Sequence, residues 1–336
     1  MLNLMELEPT PLPLSAVICS RDRPELLRRA LASLMRQHPP ASEVMVIDNA
    51  PSDARTFELV TREFPQVRYV REEVPGLDFA RNRALAESAC PIVAFLDDDA
   101  VADAGWCGSF AAAFHTQPEL GACTGRIEPL ETQTEAQMLF EENGGFSRGS
   151  APIQLPDDMR KPLHGRRAPA IAWSVSIGCG ASFAVRKEAV ANIGGFDNAL
   201  DLGAVLPGGG DLDILWRLLD AGYGLHYCPE ALAWHEHRRD MASVERQLVG
   251  HQRALLAFLA KSFRQARPGR RAEIGAFLLW RLLKPVARLA RRALGRDPLP
   301  APLLARMCWN CWVGATRYGA AQREAAARIA QRKVAA

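Results

Sequence analysis

The sequence predicts an α/β protein whose first half is a parallel sheet with helices on its faces. Three observations carry that prediction. Short apolar runs alternate with stretches of helical periodicity through the first hundred residues, and such alternation builds parallel sheets. Polar clusters follow the runs, as "CSRDRP", "DNAPSD" and "DDD", at the strand ends where ligands collect in open α/β sheets. A chain of 336 residues with 48% hydrophobic content also has enough apolar mass for one large or two modest domains.

In chain order, "LSAVIC" (14–19) reads as a buried strand. Pro24 opens a helix, "PELLRRALASLMRQ", with Leu27, Leu31, Leu34 and Met35 at helical spacing. "EVMVID" (43–48), "VRYV" (67–70) and "PIVAFL" (91–96) are further strands, separated by helices over 53–64 and 78–88. "SIGCGASFAVRK" (176–187) reads as a strand in which Gly178 and Gly180 permit close backbone approach. "GGFD" (194–197) is a turn after a short helix. Three glycines, 208–210, lead into Asp211 and a helix with Ile214, Leu215, Leu218 and Leu219 on its apolar face. Residues 129–172 are polar, with Gly144, Gly145 and several prolines and little periodicity, and read as a long loop.

Charge divides the chain. Residues 1–235 hold 20 Lys/Arg against 32 Asp/Glu, while residues 236–336 hold 21 against 6. The basic tail carries two amphipathic stretches, 244–263 and 272–294, with Arg281, Lys284, Arg288, Arg291, Arg292 and Arg296 around apolar stripes. Such helices suit an anionic membrane surface or pack back on the protein. Runs such as "IGAFLLW" are broken well short of the ~20 residues of a membrane span. The opening residues show no secretory pattern. Eight scattered cysteines fit a reducing compartment, and the Cys308/Cys311 pair lacks partners for a zinc set. No nucleic-acid motif accompanies the basic charge.

"AFLDDDAV" (94–101) raises a chemical demand. Three adjacent carboxylates repel one another unless a cation sits among them. All-oxygen ligation suits Mg²⁺ or Mn²⁺. The structural alternative is a solvated acidic turn.

The ordered set "VICSRDRP", "VMVIDNAPSD", "GLDFARNRALAES", "VAFLDDDAV", "GCGASFAVRKEAVANIGGFD" and "GGGDLDILWRLLDAG" resembles family 2 glycosyltransferases of the GT-A fold, over about residues 14–237. The resemblance implies a Rossmann-like mixed sheet flanked by helices, with a helical basic C-terminal extension. It implies an N-terminal extension (1–13), a catalytic domain (14–240, nucleotide-binding half 14–101, acceptor half 102–240) and a basic amphipathic helical region (241–336). By resemblance Asp99 binds metal, Asp98 meets the ribose, and Asp97 orients the loop or reaches the metal through water. Asp48 resembles the nucleotide-recognising aspartate, with an Asx turn as its alternative. Arg81 faces the diphosphate, while Arg83 is a surface arginine. Ser20 offers a hydroxyl in a first loop that departs from the commoner Thr-Tyr-Asn form. His235 is a metal or diphosphate contact, with His237 behind it.

Asp211 is the expected general base and Asp213 its runner-up, helix capping being the alternative reading. The family's usual glutamate is replaced by Gly210. Residues 129–172 become an expected acceptor lid. The implied activity is inverting transfer of a sugar from a nucleotide-diphosphate sugar, a UDP-sugar first, to a glycan or lipid-linked acceptor hydroxyl. The cofactor is Mn²⁺ or Mg²⁺, and the setting is cell-surface polysaccharide assembly. The expected location is cytoplasmic, peripheral on the inner face of the plasma membrane, with no nucleic acid partner. Two rivals are a catalytically silent relative that binds sugar nucleotides and a nucleotidyltransferase, whose Gly-rich first loop is missing here.

Overall fold

The computed structural model describes residues 12–335, so the expected extension at 1–13 lies almost wholly outside the described residues. The elements run β1 (Leu14–Ser20), α1 (Pro24–Leu34), β2 (Glu43–Asn49), α2 (Arg55–Glu63), β3 (Arg68–Glu72), α3 (Leu77–Glu87), β4 (Ile92–Leu96) and β5 (Ala100–Ala102). Then come α4 (Trp106–Thr116), β6 (Leu120–Pro129), α5 (Glu135–Glu142), β7 (Ile153–Leu155), α6 (Ala170–Ser176), β8 (Ser182–Arg186) and α7 (Lys187–Asn192). The chain continues with α8 (Gly210–Asp220), β9 (Gly224–His235), α9 (Met241–Gln265), α10 (Pro268–Ala293) and α11 (Ala301–Ala335).

One sheet organises them, in the order β3-β2-β1-β4-β8-β6-β9-β5, with β7 on β9. β3, β2, β1 and β4 are parallel, with Ser20 opposite Asp48. Their boundaries fall within two residues of those read from the sequence; β1, β2 and β4, largely buried on both faces, appear as continuous apolar runs, while β3 is a half-exposed edge strand. Past β4 the sheet turns mixed. β8 is antiparallel to β4 and to β6, β6 is parallel to β9, and β5 is antiparallel to β9.

Two expectations are corrected. The strand predicted for 176–187 is only β8; the stretch before it is the end of α6 followed by a turn through Gly178–Ala181. Gly178 is required there, since a Cβ would lie 2.6 Å from the Thr124 hydroxyl. The loop expected at 129–172 is also structured. It holds α5, capped by a reciprocal Thr134/Gln137 box, and β7, and a 3₁₀ turn at Asp157–Arg160.

The tail packs back. Leu255, Leu256, Phe258 and Leu259 of α9 share a core with Phe95, Phe183 and Tyr227 of the sheet, and Tyr318 and Ala321 of α11 join Leu200 and Leu206. A buried ion pair fastens this layer: Lys261 Nζ is 2.6 Å from both Asp197 and Asp213. α10 is different, because Leu279, Trp280, Leu283 and Val286 remain exposed. Among the described residues no helix is long and apolar enough to cross a membrane. All eight cysteines are free, and Cys308 and Cys311 share α11.

Candidate active site

The strand ends of the parallel half open onto a cavity of about 980 Å³. The aspartate triplet forms its floor. Asp97 N–H donates to Ala181 O (3.0 Å) and Ala100 N–H to Asp97 O (3.1 Å), a tight turn that sends β5 back against β9. That antiparallel pairing sets Ala100 opposite His235. As a result His235 Nε2 lies 3.0 Å from Asp99 Oδ1. Asp98 turns the other way and accepts hydrogen bonds from Ser20 Oγ (2.7 Å) and Arg23 Nη1 (3.2 Å). Arg23 also stands 3.5 Å from Asp99, and Arg238 3.9 Å.

The triplet is thus divided electrostatically. Burial pushes Asp99 up, but the hydrogen bond and charge of His235, with Arg23 and Arg238, outweigh it and hold this carboxyl at about 2. Burial, with the charge of Asp99 added, pushes Asp97 up to about 7. Burial lowers His235, yet the Asp99 hydrogen bond and the charges of Asp99 and Asp97 raise it overall. One ligand atom each from Asp97, Asp99 and His235 lies within 4.8 Å of the others. Among the described residues, His235 Nδ1 is buried without a hydrogen-bond partner. Two carboxylates and an imidazole in this arrangement fit a divalent cation of the Mn²⁺ or Mg²⁺ type.

A second charged centre surrounds Arg81, which is buried and lines the cavity. It binds Asp78 (3.0 Å), stands 3.7 Å from Asp201, and stacks near the rings of Phe183 and Phe196. Burial lowers the guanidinium's proton affinity, but Asp78, Asp201, Asp211 and Asp97 raise it further. Burial, then the charge of Asp201, drives Asp78 well above the usual carboxylate range. Asp78 also explains Gly210: a Cβ there would sit 2.5 Å from Asp78 Cγ. The glutamate that the resemblance leads one to expect has no room.

Asp211 lies in the first turn of α8; the cap position is Gly209, and the first N–H of the helix, Gly210, donates to Asp201 Oδ2 at 2.7 Å. Asp211 Oδ2 accepts from Gly180 N–H at 2.7 Å, which aims the carboxylate into the cavity. Gly180 is required for that approach, since a Cβ would meet Arg81 Nη2 at 2.8 Å and Asp211 Cβ at 2.9 Å.

Three expected site residues are placed elsewhere. Asp213 points away from the cavity, 1% exposed, with its oxygens bound to Lys261 (2.6 Å) and Arg217 (2.7 Å). Asp48 is buried beside the cavity; one oxygen accepts from the Tyr69 hydroxyl (2.7 Å), the other has no partner, and burial pushes it up to about 6. Its neighbour Asn49 lines the cavity instead. His237 bonds to Glu141 at 2.7 Å, while Arg83 pairs with Glu87 on the surface.

Sequence reasoning missed Arg23, Arg238, Asp78, Asp201 and the cavity wall formed by the tail. Arg23 lay inside the "CSRDRP" cluster at the first strand end, and Asp78 left a local signal in its i,i+3 spacing to Arg81.

A mixed sheet of this order, with an Asp/Asp/His centre at its strand ends, is the GT-A architecture. The chain belongs to glycosyl transferase family 2, whose model matches residues 15–194. It is 28% identical over 239 residues to a pre-mycofactocin glycosyltransferase of Mycobacterium tuberculosis, covering 69% of this chain and 44% of that protein. It is 34% identical over 141 residues to a validoxylamine A glucosyltransferase of Streptomyces hygroscopicus subsp. limoneus, covering 38% of this chain and 30% of that one. The chain thus spans less than half the length of these curated relatives. A mannosyltransferase of Pyrobaculum calidifontis, solved in complex with GDP-Man and Mn²⁺, has the same fold: TM-score 0.57 and 18% identity over 96% of this chain and 86% of that one.

Proposed function

We propose that this protein is an inverting glycosyltransferase that moves a sugar from a nucleoside-diphosphate sugar to an acceptor hydroxyl. The observation that carries the reading is the Asp97/Asp99/His235 set at the strand ends, facing Asp211 across one cavity. A divalent cation held by that set would neutralise the diphosphate as it leaves. Arg81 adds fixed positive charge beside it. Asp98, oriented by Ser20 and Arg23, is placed to accept from the ribose hydroxyls.

Asp211, fixed by Gly180 N–H, takes the proton as the acceptor oxygen bonds to the anomeric carbon. The bond from that carbon to the diphosphate oxygen breaks on the opposite side, so the configuration inverts. Asp213 is withdrawn as a base, both of its oxygens being bound by cations. UDP is the first donor base to test, and GDP stands beside it because the similar solved structure holds GDP-Man. Asp48 contributes to base recognition only from behind Asn49.

The acceptor is proposed to be a glycan or lipid-linked glycan of the cell surface, met at the inner face of the plasma membrane. Support comes from α10, whose exposed Leu279, Trp280 and Leu283 are flanked by Lys284, Arg291 and Arg292, a combination that suits an anionic bilayer surface.

Calorimetric titration of nucleoside diphosphates with and without Mn²⁺ tests the site. Metal-dependent binding of one nucleotide, lost in Asp99→Ala, is the expected result; no binding by the wild type overturns the reading. Asp211→Asn should retain that binding and lose transfer by about 10²–10⁴-fold. Donor binding without transfer in the wild type would mark the catalytically silent relative instead.

A further inference from the structure

The helical tail, α9 to α11, which lies wholly beyond the family match, closes one wall of the cavity and brings positive charge to it. Most arginines around the cavity are already engaged. Arg23 serves Asp98 and Asp99, Arg81 serves Asp78, and Arg328 holds Glu324 and the Pro75 carbonyl. Arg148, Arg246 and Arg281 are not: among the described residues none has a carboxylate within ion-pair distance. Arg246 bonds only to Ser243 Oγ and Arg148 only to the carbonyl of its neighbour Ser147. The Nε atoms of Arg148 and Arg281 are buried without a hydrogen-bond partner.

Arg281 is the most exposing of these to explain. It is half-buried in the cavity wall, stacked 5.6 Å from the Trp280 ring, and burial without a nearby acid lowers it to about 10. Cys311, whose charge acts on it, has its Sγ 3.8 Å from Gln252 Oε1, and Lys284 stands over the same Trp280 ring. His251, adjoining Gln252, by contrast feels Asp211 and His235. On α9, His251 lies beside Phe146, whose ring packs on His235, whereas its neighbour Gln252 meets Cys311 of α11. Arg281, Gln252 and His251 line the same cavity as the aspartates.

We infer that this wall is an acceptor subsite for a phosphate group, with Arg281 as its anchor and Arg148 and Arg246 as further unpaired cations lining the same cavity. A guanidinium offers two parallel donors to a phosphate, and an unpaired one in a half-buried wall is costly unless its ligand supplies the counter-charge. The inference rests on the reading of the cavity as the sugar-nucleotide site. The phosphate belongs either to a soluble acceptor or to a lipid-linked one; the recognition chemistry is the same.

The test uses the full chain saturated with Mn²⁺ and the nucleoside diphosphate it binds. Glycerol 3-phosphate and, below its micellar concentration, dodecyl phosphate are titrated in by calorimetry. The wild type should bind phosphate with nucleotide in place, Arg281→Gln should bind it about tenfold or more weakly, and Arg281→Lys should fall between. Nucleotide affinity should be unchanged in both variants, which also shows that they fold. Tighter binding of dodecyl phosphate assigns a lipid source, and equal binding a soluble one. Competition between phosphate and nucleotide, or wild-type phosphate affinity in Arg281→Gln, overturns the inference. A wild type that binds nucleotide but no phosphate overturns it alone, whereas one that binds no nucleotide removes the underlying site reading as well.

Discussion

Replacing Gly210 by alanine adds one methyl at the head of α8, and the structure defines what that methyl meets. It falls 2.5 Å from Asp78 Cγ and closer still to both carboxyl oxygens, against a comfortable separation of about 3.5 Å or more. The backbone is not the obstacle, since Gly210 is absent from the glycines with positive φ and alanine alone would favour the helix by up to about 1 kcal/mol. Asp78 cannot step aside, being 0% exposed and tied to Arg81 at 3.0 Å. Overpacking of this kind costs about 1–3 kcal/mol, so Gly210→Ala should destabilise by about 1–2 kcal/mol net. Asp78→Ala removes all three obstructing atoms. On that background Gly210→Ala should be neutral or stabilising, a coupling of about 2 kcal/mol. Urea denaturation of the wild type, the two single variants and the double variant measures it. Effects that add within about 0.5 kcal/mol would refute the claim that Asp78 excludes a side chain at 210.

Three further outcomes are expected. Asp48 is raised from 3.8 to about 6, so the native state holds its proton more tightly than the unfolded chain. Its contribution is complete below about pH 4 and is lost as pH rises through about 6, at most about 3 kcal/mol. Asp48→Asn should remove that part of the pH dependence in denaturation curves recorded from pH 4 to 7; an unchanged slope would contradict the burial argument. Lys261→Met leaves Asp197 and Asp213 without their shared cation and should cost about 3–5 kcal/mol, with faster proteolysis within α9 to α11. Cleavage at the wild-type rate would show that the ion pair does not hold the helical layer. For the membrane face, Trp280→Ser with Leu283→Ser should reduce sedimentation with phosphatidylglycerol vesicles about tenfold or more, and neutral phosphatidylcholine vesicles should bind neither form; equal sedimentation of the two forms would exclude α10 as the contact.

The sequence alone determined the parallel half of the sheet and the position of its acidic floor. Those features are local: β1, β2 and β4 are buried on both faces, so each is a continuous apolar run, and the residues at its end are known once the run is known. Asp97, Asp98 and Asp99 were placed at a strand end for that reason, whereas Arg81 on α3 and Asp211 at the head of α8 were singled out by the family resemblance. Tertiary structure decided the rest. His235 joins Asp99 only because three residues of β5 pair with the end of β9. Asp213, two residues from Asp211 and so about 200° round α8, is met on that side by Lys261 from α9. Gly210 is glycine because Asp78 reaches across from α3, and Arg281 faces the cavity because α10 folds back along α9. Pairings between segments far apart in the chain depend on packing, and packing imposes no period on either segment by which the sequence could announce them.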